Sequence, residues 1–331
     1  MHFVVTGGAG FVGSHLVKLL LEEGHKLTVI DNLHTGKKEN LSKVIDKIQF
    51  LNLDIRDYDS MEKNMRNVDG VFHQAALTVV QDSLENPNEY HDVNVVGTEN
   101  IFKIAAKNKF KVVYASSSSV YGNKQETPIS ENAERIPINP YGKTKLEDEY
   151  LMEKYSKLGV EIVGLRYFNI FGKGQTIEYA GVITKFLDRI NEGKAPIIFG
   201  SGSQIRDFVY VGDVVKANLI AMTSNTSNLL VNISAGDSIS ILELAKQSGI
   251  GVFTSVPLMQ GKLLEWIKNK PEFTHQSPAV NALQFVRSTP GVLAPLVGQK
   301  SDLHVKENLQ VLEIPPFSEE EFNSLLKKLT Q

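Results

Sequence analysis

The sequence predicts an α/β fold, a doubly wound parallel sheet followed by a smaller C-terminal α/β region. Three observations carry this. Short apolar runs alternate with helical segments through the first half of the chain. Those runs are rich in Val, Ile and Phe with few polar interruptions, as strands covered on both faces are. A glycine-rich turn joins the first run to the first helix.

The runs are His2–Thr6, Lys26–Ile30, 48–53, Gly70–His73, 111–115 and 161–165. The first leads into TGGAGFVGSHL, where Gly7, Gly10 and Gly13 precede an amphipathic helix through Leu16, Leu19 and Leu20. Glycines so spaced permit a tight turn, close approach of backbone to a pyrophosphate and close packing of helix on strand, and the helix N-terminus attracts phosphate. The second run ends at Asp31 in VIDNL, where the ribose hydroxyls of an adenosine should lie. A carboxylate there repels a ribose phosphate, so NAD rather than NADP is the expected cofactor. After the fifth run come Ser116, Ser117, Ser118 and Ser119, at the carboxyl edge of the sheet where ligands bind in open α/β folds. In NPYGKTK, Tyr141 and Lys145 stand four residues apart, which puts both on one helix face. An ammonium beside a phenol lowers the phenol pKa and makes a base of a group otherwise idle at neutral pH.

Composition narrows the class. The chain has 331 residues, a formal net charge of -3 and 42% hydrophobic residues. It is long enough for a large core in two domains, or in one domain with a cap. This balance gives no sign of a nucleic-acid partner. The absence of cysteine excludes disulfides, thiolate nucleophiles and zinc–thiolate sites. The eight histidines show no metal-ligand spacing, and no metal is expected. No apolar run is long enough to span a bilayer, and the first strand begins at residue 2 without room for a signal peptide. A cytoplasmic protein without a membrane partner is therefore expected.

Taken in order, the glycine turn, the serine run and the Tyr-x-x-x-Lys pair resemble the extended short-chain dehydrogenase/reductase family. The resemblance is to its NAD-dependent nucleotide-sugar epimerase and dehydratase branch, UDP-glucose 4-epimerases in particular, over residues 1–245. It implies a Rossmann-like sheet. It also implies cofactor contacts from Gly7, Gly10, Phe11, Val12, Gly13, Asp31 and Asn32, from Asp54 and Ile55 in LDIRD, and from Ala75 and Ala76 in HQAA. Asn94 in NVVGTEN, Ser116, Tyr141, Lys145 and Tyr167 complete that set, and Phe168 would lie near the nicotinamide beside Tyr167. Ser117, Tyr141 and Lys145 match the catalytic positions. Ser117, Ser118 and Tyr141 would meet the substrate, as would Asn169 in LRYFNIFG and Arg206 in GSGSQIRDFVYVGDV. For Arg206 an ion pair with Asp207 or Asp213 is the competing reading.

The implied reaction is epimerisation at carbon 4 of a nucleotide sugar through a 4-keto intermediate, with Tyr141 as base. UDP-glucose/UDP-galactose is the default substrate as the commonest in the subgroup. Dehydratases of this branch usually carry Thr-Asp-Glu where this chain has Ser117, Ser118 and Ser119, which argues against dehydration. The alternatives are a non-catalytic or impaired NAD-binding protein, or a nucleotide-sugar dehydratase or reductase. In the family, helices matching 88–107 and 141–158 form a dimer interface, so a homodimer is expected.

Three parts follow: 1–166 for NAD, 167–245 for substrate, and 246–331 as a separate tail. The substrate-cap stretch expected of the family, with its Arg-x-Gly-Asp, does not appear after residue 245. The tail instead resembles the C-terminal part of an aldo-keto reductase, an incomplete barrel without that family's catalytic residues. This points to a fusion joined near ELAK and to a weakened substrate grip. In that family the segment matching residues 298–301, with Glu307 and Asn308, helps hold an adenosine. The residues themselves predict strands at 251–256 and 292–297 and a helix over 279–287. A capping box of Ser318 and Glu321 then opens a final helix through Phe322, Leu325, Leu326 and Leu329.

Overall fold

A computed structural model describes the chain except residues 125–126, 176–180, 195–196, 199–201, 248–251, 256–261, 269, 274–276, 290–291, 297–301 and 331. The chain divides into two compact units. The first comprises Met1–Asp188 and Asp207–Ser238, the second Arg189–Arg206 and Ile239–Gln331. The first unit thus takes in residues on both sides of the expected division at 166.

The strands are β1 (His2–Thr6), β2 (Lys26–Ile30), β3 (Gln49–Leu51), β4 (Gly70–His73), β5 (Lys111–Ser117) and β6 (Ile162–Tyr167). After them come β7 (Asn169–Phe171), β8 (Ile205–Tyr210), β9 (Leu229–Ile233), β10 (Ser238–Ser240), β11 (Val252–Ser255) and β12 (Val292–Leu296). The helices up to Lys157 are α1 (Phe11–Glu22), α2 (Tyr58–Asn64), α3 (Val80–Glu85), α4 (Pro87–Tyr90), α5 (Gly97–Asn108) and α6 (Pro140–Lys157). Beyond them lie α7 (Val182–Asn191), α8 (Val211–Thr223), α9 (Ile241–Gln247), α10 (Lys262–Ile267), α11 (Pro278–Arg287), α12 (Asp302–Leu309) and α13 (Glu319–Thr330).

The first unit is built on a seven-stranded sheet in the order β3-β2-β1-β4-β5-β6-β9. Its strand pairs run parallel. The chain starts in the middle, winds outward to β3, and returns past β1 to β4, so the order reverses between β1 and β4. That reversal opens a crevice at the carboxyl ends of the strands. Alternation within β1 feeds two cores. Phe3 and Val5 face one, with Leu16, Val17 and Leu20 of α1 and Val214 and Val215 of α8. Val4 faces the other, with Ile101 and Phe102 of α5 and Met152 and Tyr155 of α6. Each such fully buried aliphatic or aromatic side chain stabilises the fold by roughly 1.5–3 kcal/mol. Four of the six predicted strands keep their start or their full extent; β3 is shorter than 48–53, and β5 runs two residues past 115 to end on Ser117. The seventh strand, β9, was not among the predicted runs. β7 and β8 form a short parallel pair in the register Asn169 to Phe208 and Phe171 to Tyr210.

In the second unit β11 and β12 pair in parallel with an irregularity between Val252 and Phe253. Ser277 caps α11 by accepting from the Val280 N–H at 3.3 Å, and Pro278 occupies its first turn. The Ser277 hydroxyl donates to Glu307 at 2.5 Å. The predicted capping box is present: the Glu321 N–H donates to Ser318 Oγ at 3.2 Å and the Ser318 N–H to Glu321 Oε2 at 2.7 Å. Helix α13 then buries Phe322 against Leu263, Ile267 and Phe285, with the Phe285 and Phe322 rings stacked at 4.8 Å. Residues 298–301 lie outside the described residues.

Candidate active site

The crevice of the first unit holds a cleft of about 320 Å³, within the range of small-molecule sites. Its lower wall is the glycine turn. Gly7 has φ +66°, and a Cβ there would lie 2.6 Å from the Ala75 nitrogen. A Cβ on Gly13 would lie 2.1 Å from the Gly7 carbonyl, so neither position admits another residue without moving backbone. Helix α1 begins with Gly10 as an extended N-cap that has no side-chain hydrogen bond. The N–H groups of its first turn, beside Phe11, Val12 and Gly13, therefore face the cleft without an intrahelical partner.

Asp31 is buried. Its Oδ2 accepts from the Ala9 N–H at 2.9 Å and its Oδ1 from the Leu33 N–H at 2.8 Å. Burial pushes its pKa up while those two bonds pull it down, with burial dominant. A carboxylate has about four acceptor sites, so Asp31 keeps capacity for two hydroxyl donors. Asn32 and Ile55 line the cleft beside it. Asp54 is set back. It is held by Arg56 Nη2 at 2.7 Å and by Asn32 Nδ2 at 3.0 Å, and the Arg56 hydrogen bond is the main cause that lowers its pKa to about 2. Arg56 rather than Asp54 lines the cleft.

Ala75 and Ala76 form one flank, and Asn94 acts on that flank from behind. Its side chain is fully buried, accepts from the Leu77 N–H at 2.8 Å, and donates to the Leu77 carbonyl at 3.0 Å and to Thr144 Oγ1 at 3.1 Å. A π-helical segment, His91–Val96, carries it; such wide turns often occur at functional sites. Asn94 thus does not line the cleft. It ties the Leu77 loop to the middle of the Tyr141–Lys145 turn.

The far wall comes from β5, β6 and α6. Asn139 caps α6 by accepting from the Gly142 N–H at 2.8 Å, and Pro140 sits in the first turn. The helix therefore starts just before Tyr141, and Tyr141 and Lys145 both line the cleft. Lys145 Nζ donates to Asp148 at 3.1 Å. Ser117, opposite Tyr167 in the β5–β6 register, accepts from the Ser119 N–H at 3.1 Å and donates to Ser119 Oγ at 3.1 Å. Ser116 borders the cleft, but its hydroxyl donates to Glu149 at 2.7 Å, so that group is turned inward. The Tyr167 hydroxyl is shared between Gln74 Oε1 at 3.0 Å and Asn218, and burial raises its pKa. It is poorly placed to serve as a second base.

Two expected substrate contacts of the first unit do not line the cleft. Ser118 opens the short helical turn after β5, and Asn169 donates to the Asp207 carbonyl at 3.0 Å. Arg206 belongs to the second unit, where its guanidinium donates to the Ile205 carbonyl. Neither carboxylate proposed as its partner needs it: Asp207 accepts from the Ala235 and Gly236 N–H groups, and Asp213 pairs with Lys216. Gln74, Thr78, Glu89 and Gln175 line the cleft without having been expected. None sits in a spaced pattern, so only their placement reveals them.

An uncapped helix N-terminus over glycines, a buried acid with spare acceptors and a Tyr/Lys wall within one crevice define a dinucleotide-binding enzyme site. The residues fit NAD. The chain belongs to the NAD-dependent epimerase/dehydratase family, whose match spans residues 3–234, and NAD is its cofactor. A Methanocaldococcus jannaschii protein provisionally named as a UDP-glucose 4-epimerase is 46% identical over 73% of this chain and 79% of its own. A UDP-N-acetyl-alpha-D-glucosaminuronate decarboxylase of Bacillus cytotoxicus is 37% identical over 73% and 78%. The structure of a UDP-N-acetylglucosamine 4-epimerase from Methanobrevibacter ruminantium, in complex with UDP-N-acetylmuramic acid, matches with TM-score 0.71 and 30% identity. It covers 99% of this chain and 97% of that one. The tail is included in that likeness, and the aldo-keto reductase resemblance gains no support from these matches. Among the described residues no helix is long and apolar enough to cross a membrane.

Proposed function

We propose that this enzyme inverts carbon 4 of a UDP-hexose of the glucose/galactose type. The observation that carries the reading is that Tyr141 and Lys145 stand in one cleft with the uncapped turn of α1 and Asp31. In this reading the α1 N–H groups hold the pyrophosphate of NAD, Asp31 accepts from its adenosine ribose, and Lys145 donates to its nicotinamide ribose. NAD, when bound, would supply the hydride acceptor and donor for carbon 4.

Tyr141, as the general base on the cleft wall it shares with Lys145, takes the proton of the sugar 4-hydroxyl and gives it back after the 4-keto sugar has turned. Ser117 turns its proton from Ser119 to the sugar oxygen and holds it. Ser118 and Ser119, where dehydratases of this branch carry an acid pair, leave no carboxyl group to remove water from the sugar. A homodimer acting in the cytoplasm belongs to the same proposal, supported by the exposed Val96 and Tyr150 on the helices expected at the interface.

The test is interconversion of UDP-galactose and UDP-glucose by the wild type and by Tyr141→Phe. The variant is expected to lose at least about 10³-fold in kcat, the upper part of the range for general acid–base catalysis, with NAD affinity kept. Full activity in the variant refutes the role of Tyr141. Carbon dioxide release from UDP-glucuronate without epimerisation replaces the reaction by decarboxylation.

A further inference from the structure

Asp148 has no part in that mechanism, yet it is the group bonded to Lys145. It lies three residues further along α6 with 0% exposure, and its Oδ2 accepts from Lys145 Nζ at 3.1 Å. Its Oδ1 meets no partner at full hydrogen-bond geometry among the described residues. The Thr98 hydroxyl of α5 also acts on the carboxylate and is itself 2.9 Å from His73 Nε2. His73 Nδ1 in turn lies 2.7 Å from Thr6 Oγ1 at the end of β1. A buried polar chain therefore runs from Thr6 in front of the glycine turn through His73 to Thr98, and the Asp148–Lys145 pair forms a second buried polar group at the opposite wall.

A buried ion pair is a poor source of stability, because removing two charges from water costs several kcal/mol per ion. Its effect here is on direction. Lysine has three donors; with one fixed on Asp148, the others are confined to the side of the cleft that Lys145 lines.

We infer that Asp148 is the positioning residue of Lys145: its ionised carboxylate holds the ammonium at the cleft wall, and its protonation loosens the hold on NAD. This rests on the placement of Lys145 against NAD proposed above. The charged and titratable groups around it are few. Lys145 and Glu147 share its helix, Tyr114 faces it from β5, and His73 faces Lys145 from β4. Burial outweighs the attraction of Lys145 and pushes the Asp148 carboxyl up to about 6. Burial, aided by the Lys145 charge, pushes His73 down to about 3, so His73 stays neutral where Asp148 titrates.

The test is the dissociation constant for NAD, measured by calorimetry between pH 5 and 8. Wild-type affinity is expected to weaken about tenfold on acidification, the effect of one pKa unit of differential ionisation. Asp148→Asn should bind more weakly at pH 7.5 and lose most of that pH dependence; Asp31 is common to both proteins and cancels in the comparison. Thr98→Val removes a hydroxyl that favours the ionised carboxyl, so its curve should move to higher pH, which keeps the test open if Asp148→Asn does not fold. A flat wild-type curve, parallel curves for wild type and Asp148→Asn, or an unmoved Thr98→Val midpoint overturns the inference. A lower Tm with parallel curves marks a structural role only. Binding is read without turnover, so a protein inactive on every sugar sinks the epimerase reading and leaves this one standing.

Discussion

Replacing Glu149 by Gln should destabilise the first unit far more than so small a change of shape would imply. Glu149 has 0% exposure, and its two oxygens accept four hydrogen bonds. Oε1 takes Ser116 Oγ at 2.7 Å and Arg166 Nε at 2.8 Å; Oε2 takes Arg166 Nη2 at 2.8 Å and Arg135 Nη1 at 2.9 Å. Burial disfavours the Arg166 charge, but the bonds to Glu149 outweigh it and raise the guanidinium pKa. Arg166 also donates to the Tyr121 hydroxyl at 2.6 Å and to the Glu131 carbonyl at 2.8 Å. A glutamine keeps one acceptor oxygen and turns an NH₂ toward two donors, so at least two charge-assisted bonds are lost. Each such bond is worth about 1.5–3 kcal/mol, which agrees with the roughly 3–5 kcal/mol measured when one partner of a buried pair is removed.

Against a total stability of about 5–15 kcal/mol that is a large fraction. With a urea m-value of about 3 kcal/mol/M, the midpoint should fall by about 1–1.7 M. The assay is urea titration followed by far-UV circular dichroism and by release of bound NAD, which reports the unit that holds the cleft. A fall of less than about 0.3 M, about 1 kcal/mol and typical of a surface ion pair, would mean that the bonds to Glu149 hold the unit no more firmly than surface charges do.

Two further outcomes follow from the same geometry. Gly13→Ala places a Cβ 2.1 Å from the Gly7 carbonyl. The helix must back away from the turn at a cost of about 1–3 kcal/mol, and calorimetry should find NAD affinity reduced at least tenfold while far-UV circular dichroism is unchanged. His73 is neutral in the fold, with its pKa down at about 3 from 6.5. Between those values the unfolded chain takes up a proton that the folded chain refuses. Its contribution is therefore complete above pH 6.5 and is lost as pH falls through that window, at about 1.4 kcal/mol per pH unit. The stability advantage of wild type over His73→Gln in urea should shrink accordingly from pH 6.5 to 4. Asp148, raised to about 6, acts with the opposite sign and is common to both proteins; an advantage independent of pH contradicts the assignment.

What was readable in advance follows the range of the forces involved. β1, β2 and β4 have the predicted limits because a continuous run of β-branched and aromatic residues is a local property. The same holds for the Ser318–Glu321 box. β9 was missed because LLVNI becomes a sheet strand only by pairing with β6 across sixty-odd residues. Asp54 was expected at the cofactor and is instead neutralised by Arg56; the spacing of LDIRD cannot show which of the two faces the cleft. Ser116 was expected there too, and its hydroxyl is claimed by Glu149, a residue 33 positions away.

Most strands and helices, and the presence of a nucleotide site, could be read from the sequence alone. Glycine placement, strand composition and the 3.6-residue period act over a few residues and need no partner, so Gly7, Gly10, Gly13, Asp31, Tyr141 and Lys145 were all legible. Tertiary structure alone decided what surrounds them. The hold of Asn94 on Leu77, the four bonds on Glu149 and the pairing of Lys145 with Asp148 depend on which side chains lose water together. Desolvation strengthens those contacts and shifts those protons, and burial is a property of the folded chain that no spacing of residues contains.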